Sequence, residues 1–185
     1  MRVVSVAADI AARERVRRSE PPFPLVFPES LIDAATEHLR RQGVQGNEEL
    51  VLFAGVPVDD RVLITSLLMP DTIATWGHVE IVRSEQPLIA EWLVRNHQLL
   101  FVEMHTHGGR SAWSTRISSV DTAHPVSVRN GFLTVIVPAH AEDGIDFAVA
   151  GVWECMQLSW RRLSKRDVGS RFTVVPDQEV QREVA

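Results

Sequence analysis

The sequence predicts a single α/β domain in which helices pack against a sheet. Its 185 residues suit one domain, because a typical domain takes about 100–200 residues. A chain of this length folds without needing disulfides or a structural metal. Apolar runs of strand length are interspersed irregularly with helical patterns, unlike the regular alternation of a doubly wound fold.

Two segments have the apolar spacing that is typical of amphipathic helices. PESLIDAATEHLRRQG has Pro28 near its start and Gly43 as a stop, and its apolar residues fall on one face. SEQPLIAEWLVRNHQ has Ser84 as a candidate cap and Pro87 in the first turn, where a missing N–H costs little. Each helix is expected to pack one face on the sheet.

Short apolar runs predict the strands. ELVLFAGV and RVLITSLLM flank a turn that contains Asp59 and Asp60, which favours an antiparallel pair. LLFVEMHTH, GFLTVIVP and IDFAVAGVW are further strand candidates, and WRRLSKRDVGSRFTVV suggests a short helix or turn and then a strand. Residues 1–27 end in PPFPLVFP and are interpreted as an N-terminal extension.

Composition and charge exclude several classes of function. The net charge of -5 and the pI near 5.8 argue against general nucleic-acid binding, since a surface that follows phosphates carries a basic excess. No window approaches the roughly 20 apolar residues that span a bilayer, and the N-terminal arginines follow the first apolar run, unlike those of a secretory signal. The single cysteine, Cys155, points to a reducing compartment. We therefore expect a soluble, cytoplasmic protein that binds neither nucleic acid nor membrane.

The stretch FVEMHTHGGRSAWSTRISSVD contains the residues that point to chemistry. Alternate strand residues share a face, so His105 and His107 can converge on one metal ion. Zinc in catalytic sites takes three protein ligands from His, Asp or Glu and keeps a fourth position for water. Asp121 is the candidate third ligand if the glycine pair after His107 reverses the chain.

The same aspartate also has a structural interpretation. Ser118 and Asp121 fit the S-x-x-D pattern of a helix capping box, in which Ser118 bonds a backbone N–H at the start of a helix. The two interpretations are compatible, because a cap can fix the turn that aims Asp121 at the histidines. On these residues alone, both the metal site and the purely structural cap stay open.

Three stretches, EELVLFAG, HTH and SSVD, resemble in this order the signature of the JAMM (JAB/MPN) metallopeptidase family. That signature is an early glutamate, then H-x-H, then S-x-x-D, and the resemblance covers roughly residues 28–175. It implies a JAB/MPN-like fold, also called cytidine-deaminase-like, with a mixed and largely antiparallel sheet flanked by helices. Residues 1–27 are then an N-terminal extension and residues 176–185 a C-terminal tail.

The resemblance also implies roles for individual residues. His105, His107 and Asp121 would bind one Zn²⁺ per chain together with a water molecule. Glu48 would be the general base. Ser118 would donate a hydrogen bond to the developing oxyanion.

The general base has two rival candidates. The family places a glycine seven positions after its glutamate, which maps these residues to Glu48 and Gly55. A slip of one residue would put Glu49 in the site instead. Glu103 lies on the histidine face of its strand, although a hydrogen bond to a ligating histidine is the simpler role for it.

The chain departs from the family pattern at three places. Gly108 stands where the family usually has proline, and Val51 where it often has glycine. Asp121 follows His107 at a longer spacing than usual, as if GGRSAW carried a short insertion. Trp113 lies in that insertion and is therefore worth testing. Three other histidines lack ligand spacing and are interpreted as ordinary residues: His78, His124 and His140.

The activity implied by the resemblance is zinc-dependent hydrolysis of a peptide or isopeptide bond after the C-terminal tail of a ubiquitin-like modifier. This covers deconjugation and precursor processing. The expected partners are the modifier or its conjugates, with the activating and conjugating enzymes of the same pathway as further candidates. The short chain looks like a compact prokaryotic member, and its single lysine, Lys165, is compatible with a role beside lysine conjugation.

Two alternatives to a peptidase fit part of the sequence pattern. A non-catalytic MPN-type scaffold that binds a partner protein is the alternative from a different functional class, and the long spacing before Asp121 keeps it open. An amidohydrolase barrel also uses an H-x-H strand, but such a barrel needs about 250 residues. This chain is too short for it.

Overall fold

A nine-stranded mixed sheet lies at the centre of the protein, which the computed structural model describes over residues 1–6 and 23–184. Two further strands in this part of the chain form a separate hairpin. In chain order the strands are β1 (Arg2–Ser5), β2 (Leu25–Pro28), β3 (Leu50–Val58), β4 (Arg61–Met69), β5 (Thr72–Thr75), β6 (His78–Ile81), β7 (Leu99–Thr106), β8 (Leu133–Val137), β9 (Gly151–Met156), β10 (Ser159–Arg162) and β11 (Phe172–Val175).

Five α-helices accompany these strands within the described ranges. They are α1 (Glu29–Gly43), α2 (Glu85–Arg95), α3 (Ser119–Ala123), α4 (Lys165–Arg171) and α5 (Asp177–Val184). Short 3-10 turns occupy Ala112–Thr115 and Ala139–Ala141. None of the helices in the described ranges is both long and apolar enough to cross a membrane.

The central sheet has the strand order β10-β9-β8-β7-β3-β4-β2-β11, and β1 pairs with β4 outside this path. Of the eight strand pairs described in this sheet, five are antiparallel; the parallel ones are β7–β8, β2–β4 and β2–β11. The predicted α/β class and the largely antiparallel mixed sheet are therefore confirmed. The β5–β6 hairpin stands apart from the sheet.

Apolar layers cover both faces of the sheet because residues along a strand alternate in direction. Val51 and Phe53 of β3 join the layer beneath α1, whose Leu31 and Leu39 are fully buried. The other face of β3 packs towards α2, which contributes Ile89 to a second layer. The two helices predicted from the sequence thus lie on opposite faces.

Some predictions differ from the structure in detail. The strand predicted over IDFAVAGVW begins only at Gly151, because the Asp146 side chain accepts the Ala148 N–H at 2.8 Å and the preceding residues form a turn. Ser84 precedes α2 in helical conformation and its side chain makes no cap bond. Instead, the N-terminal amine of the chain lies 3.0 Å from the Glu85 carboxylate at this helix start.

Segments outside the predicted domain over residues 28–175 also join the fold. From residues 1–27, β1 pairs with β4 and most of β2 lies between β4 and β11. From residues 176–185, α5 buries Val180 in a small apolar cluster. Residues 7–22 of the predicted N-terminal extension lie outside the described residues.

Candidate metal centre

The two histidines lie at the carboxyl end of β7, in the interior of the sheet. His105 pairs with Leu50 of β3 and with Ile136 of β8, and it is only 1% exposed. His107 follows the strand, and its N–H donates to the carbonyl of Val137 at 3.0 Å. Both flanking strands therefore fix the backbone that carries the pair.

The segment after His107 reverses direction and returns Asp121 to the strand end. Gly109 adopts a φ of 82° in this reversal, a conformation that glycine tolerates best. The segment then forms the 3-10 turn Ala112–Thr115 and enters α3. Ser118 Oγ accepts the Asp121 N–H at 3.1 Å, and Asp121 Oδ2 accepts the Ser118 N–H at 2.7 Å. The predicted capping box is thus confirmed.

The Asp121 carboxylate takes part in the capping box and also lies close to both histidines of the predicted metal site. Asp121 Oδ2 lies 3.8 Å from His105 Nε2 and 3.7 Å from His107 Nε2, while the two nitrogens are 3.2 Å apart. A tetrahedral zinc ion with ligand bonds of about 2.0–2.2 Å separates its donor atoms by about 3.3–3.5 Å. The three atoms therefore fit one metal ion with shifts of a few tenths of an ångström.

A polar neighbour lies beside each histidine ring. Glu103 Oε1 lies 2.9 Å from His105 Nδ1 and accepts its proton when Nε2 serves as the metal-facing nitrogen. The backbone of Ser114, in the 3-10 turn, lies near the His107 ring and acts to raise its pKa. The segment that makes the spacing to Asp121 long therefore also lies beside a candidate ligand.

Glu48 lies beside this cluster, immediately before β3. Its N–H donates to the carbonyl of Thr75 at the tip of the β5–β6 hairpin, at 2.8 Å, and the residue is 5% exposed. Burial raises the pKa of the Glu48 carboxyl to about 7; the charge of His105 opposes this shift and that of Asp121 adds to it. A carboxyl with this pKa can both accept and release a proton near neutral pH.

The carboxylates of the two rival bases, Glu49 and Glu103, are hydrogen-bonded to other groups. Glu49 Oε1 accepts the Leu50 N–H at 2.8 Å and the Thr72 hydroxyl at 2.9 Å. The other Glu49 oxygen lies 3.9 Å from His38 of α1. Glu103 is bonded to His105, as described above. Of the three glutamates, the structure leaves Glu48 without such a hydrogen bond in the described residues.

The two histidines differ in their affinity for protons. Burial and, to a smaller extent, the charge of His105 lower the pKa of His107 to about 4. Burial also acts to lower the pKa of His105, but the hydrogen bond and charge of Glu103, with the charges of Asp121 and Glu48, raise it overall. His107 is thus neutral at physiological pH, as a metal ligand must be.

An unusual backbone turn supports the segment after His107. Ala139, His140 and Ala141 all have positive φ, and Ala139 N–H and His140 N–H donate to the carbonyls of Gly109 at 2.8 Å and His107 at 3.3 Å. His140, interpreted from the sequence as an ordinary residue, has a buried Nδ1 without a hydrogen-bond partner among the described residues. A left-handed run without glycine has no sequence signal that would reveal it.

A cleft of 530 Å³ opens beside the cluster and was not anticipated from the sequence. It lies between the β5–β6 hairpin and α2, with His105 and Asp121 in its wall. His78 and His124, both interpreted as ordinary residues, also line it. The alternation in TIAT and HVEI around a Trp-Gly turn was the available signal for the hairpin.

Trp113 is 70% exposed in the 3-10 turn. The Arg116 guanidinium lies 3.6 Å from its ring centroid, close enough for a cation–π contact. The backbone of the next residue, Ser114, lies near the His107 ring and acts to raise its pKa. Trp113 therefore lies next to the cluster in sequence, but its ring packs on an arginine.

Comparisons with known proteins bear on both fold and chemistry. No family model matches the sequence. The chain is 30% identical over 128 residues to a protein of Sinorhizobium fredii (strain NBRC 101917 / NGR234) named "Probable metalloprotease y4jG", a match that covers 67% of this chain and 76% of that protein. The fold is similar to the solution structure of protein DSY2949 from Desulfitobacterium hafniense, with a TM-score of 0.58 and 12% identity, covering 82% of this chain and 93% of that one. The second similarity concerns the fold alone.

Proposed function

This chain belongs to the family of the protein named "Probable metalloprotease y4jG", and we propose that it is a metal-dependent peptidase. The observation that carries the proposal is the convergence of His105 Nε2, His107 Nε2 and Asp121 Oδ2 within 4.8 Å of one another. This is the only such group of three or more potential metal ligands in the described part of the chain. Two of its members, His105 and Asp121, line the cleft, which gives a substrate access to them.

We propose zinc as the metal. Two imidazoles and one carboxylate form a set of three protein ligands, which catalytic zinc sites use while keeping a further position open. When bound, zinc would polarise the substrate carbonyl and lower the pKa of a water molecule to about 7. Glu103 would hold His105 in the tautomer that presents Nε2 to the ion.

Two side chains are proposed to carry out the proton transfer and stabilise charge. Glu48, with its pKa raised to about 7 by burial, would accept a proton from the attacking water and deliver it to the leaving amine. Ser118 uses its oxygen to accept the Asp121 N–H, so its hydroxyl hydrogen can be donated to the developing oxyanion. Loss of one such donor costs other hydrolases roughly 3–4 kcal/mol.

The proposed substrate is a ubiquitin-like protein or one of its conjugates, cleaved after the C-terminal tail of the modifier. The resemblance of EELVLFAG, HTH and SSVD to the JAMM signature supports this part of the proposal. An open cleft that reaches the candidate metal centre is compatible with an extended tail. Cleavage of isopeptide conjugates and of linear precursors would use the same site.

Elemental analysis of the purified protein after zinc reconstitution tests the metal site. We expect about one zinc per chain in the wild type, much less in Asp121→Ala, and an unchanged amount in Asp60→Ala, a control at an exposed aspartate in the β3–β4 turn. Zinc retained in Asp121→Ala would move the third ligand elsewhere. The absence of zinc from all three proteins would favour the alternative function, a non-catalytic MPN-type scaffold that binds a partner protein.

Cleavage of ubiquitin-like fusion proteins tests the activity. We expect hydrolysis by the zinc-loaded wild type and its loss in Glu48→Gln, which keeps the shape of the side chain but cannot accept the proton. Full activity in Glu48→Gln would refute the assignment of the base. Cleavage of unstructured peptides together with inactivity on every such fusion would refute the substrate class and leave the peptidase in place.

A further inference from the structure

The 530 Å³ cleft beside the candidate metal centre has the size of a ligand-binding site. Such sites usually measure roughly 300–1,000 Å³ and combine apolar walls with a few polar groups. Glu103, His105 and Asp121 line this cleft together with residues of the β5–β6 hairpin, of α2 and of the segment after α3. A group bound in it would therefore lie next to the reacting bond.

The walls of the cleft away from the metal centre are mostly apolar. The hairpin contributes Val79 and Ile81, and α2 contributes Ile89 and Leu93. Leu50 of β3, which pairs with His105 on the neighbouring strand β7, also lines the cleft. These side chains come from three separate elements, so the apolar surface is concave, as a side-chain pocket requires.

The charged groups in the walls are of one sign. The carboxylates of Glu80, Glu103 and Asp121 line the cleft, and among the described residues no lysine or arginine does so. Away from the proposed zinc ion, a carboxylate would meet no lysine or arginine to pair with it, whereas next to the ion the positive charge would attract it. A neutral apolar group meets complementary walls and incurs no such cost.

We propose that this cleft binds a large apolar side chain of the polypeptide substrate, close to the bond that is cut. This inference rests on the proposed peptidase function and adds its side-chain specificity. Leucine and phenylalanine would be preferred, and glycine would leave the pocket unfilled. A difference of a single methylene in an apolar pocket changes selectivity by roughly 10–200-fold.

Nuclear magnetic resonance titrations test the binding without relying on catalysis. The probes are N-acetyl-leucine amide and N-acetyl-glycine amide, added to the zinc-loaded protein. We expect the leucine probe to shift the backbone amides of Val79 and Ile89 and to bind about tenfold or more tighter than the glycine probe. Equal affinities, or shifts scattered away from the cleft, would overturn the inference.

A matched pair of variants on α2 locates the binding. Ala90 lines the cleft and is exposed, so Ala90→Trp should fill the pocket and abolish the shifts caused by the leucine probe. Val94, which is 76% exposed and does not line the cleft, provides the control Val94→Trp, which should bind like the wild type. Unchanged binding in Ala90→Trp would also overturn the inference.

Digestion of a mixed peptide pool, with cleavage sites read by mass spectrometry, separates this inference from the proposed function. We expect leucine and phenylalanine to be enriched and glycine depleted near the cut bond, with at least a tenfold loss of that preference in Ala90→Trp. Cleavage without preference would refute the cleft inference alone. No cleavage, together with selective binding of the leucine probe, would refute the peptidase and retain the apolar pocket.

Discussion

Replacing Glu48 with glutamine should stabilise the metal-free protein, and the gain should depend on pH. In the unfolded chain the Glu48 carboxyl ionises near its ordinary pKa of 4.5, whereas burial raises that value to about 7 in the folded protein. The folded state therefore binds this proton more tightly. The stability that the neutral carboxyl provides is fully present below pH 4.5 and is lost as the pH rises through 7.

The size of the effect follows from the shift of the pKa. One pKa unit corresponds to about 1.4 kcal/mol, so ionisation of Glu48 costs the folded protein about 3 kcal/mol at pH 8. Glutamine has no ionisable group, and it has nearly the shape of the protonated carboxyl. The difference in unfolding free energy between Glu48→Gln and the wild type should therefore grow by up to about 3 kcal/mol between pH 4.5 and pH 8.

Urea unfolding of both proteins at these two pH values, with a chelator present, measures the difference. Glu37→Gln serves as the control, because Glu37 forms an exposed ion pair with Arg41 on α1 and such pairs contribute little. A Glu48→Gln difference that is the same at both pH values would refute the reasoning. Zinc should shrink the difference at pH 8, since a nearby cation favours the charged carboxylate.

Three further predictions test other parts of the structure. Glu103→Gln should weaken zinc binding about 10–100-fold in a competition titration with a chelating dye, because it removes the charged partner of the candidate ligand His105; unchanged affinity would count against that role. Ala139→Gly should raise the unfolding free energy by about 1 kcal/mol, because it removes the steric strain of an alanine with left-handed backbone angles. The control Ala35→Gly, within α1, should lower the unfolding free energy. Glu154→Ala should cost about 3–5 kcal/mol in urea unfolding, since it leaves the buried Arg171 without its carboxylate; a loss below 1 kcal/mol would contradict this.

The sequence predicts those parts of the fold whose pattern is local and strong. The apolar spacing in α1 and α2 and the long runs of β3, β4 and β7 correspond to the helices and strands in the structure. The capping box at Ser118 was equally predictable, because both of its hydrogen bonds join residues three positions apart. Local signals of this kind do not depend on the rest of the chain.

The remainder depends on contacts between distant segments. The β5–β6 hairpin has short strands with half-buried and exposed residues, so its pattern is weak, yet it supplies one wall of the cleft. The choice between Glu48 and Glu49 was equally undetermined, since one residue reverses the side-chain direction. In the structure, Leu50 and Thr72 both donate hydrogen bonds to the Glu49 carboxylate, which favours Glu48 as the candidate base.

The candidate metal centre is attached unequally to the fold, because Asp121 lies on a short helix. In the described structure, α3 has five residues and buries none of them, whereas His105 belongs to a strand that is paired on both sides. Local opening of so short a helix requires far less free energy than global unfolding. It would withdraw the Asp121 carboxylate while the two histidines stay in place. We therefore expect a bound ion to exchange with the solvent through partial loss of its chelate while the sheet stays intact. The lifetime of the ion would then be set by fraying of α3, and a chelator would remove it from protein that is still folded.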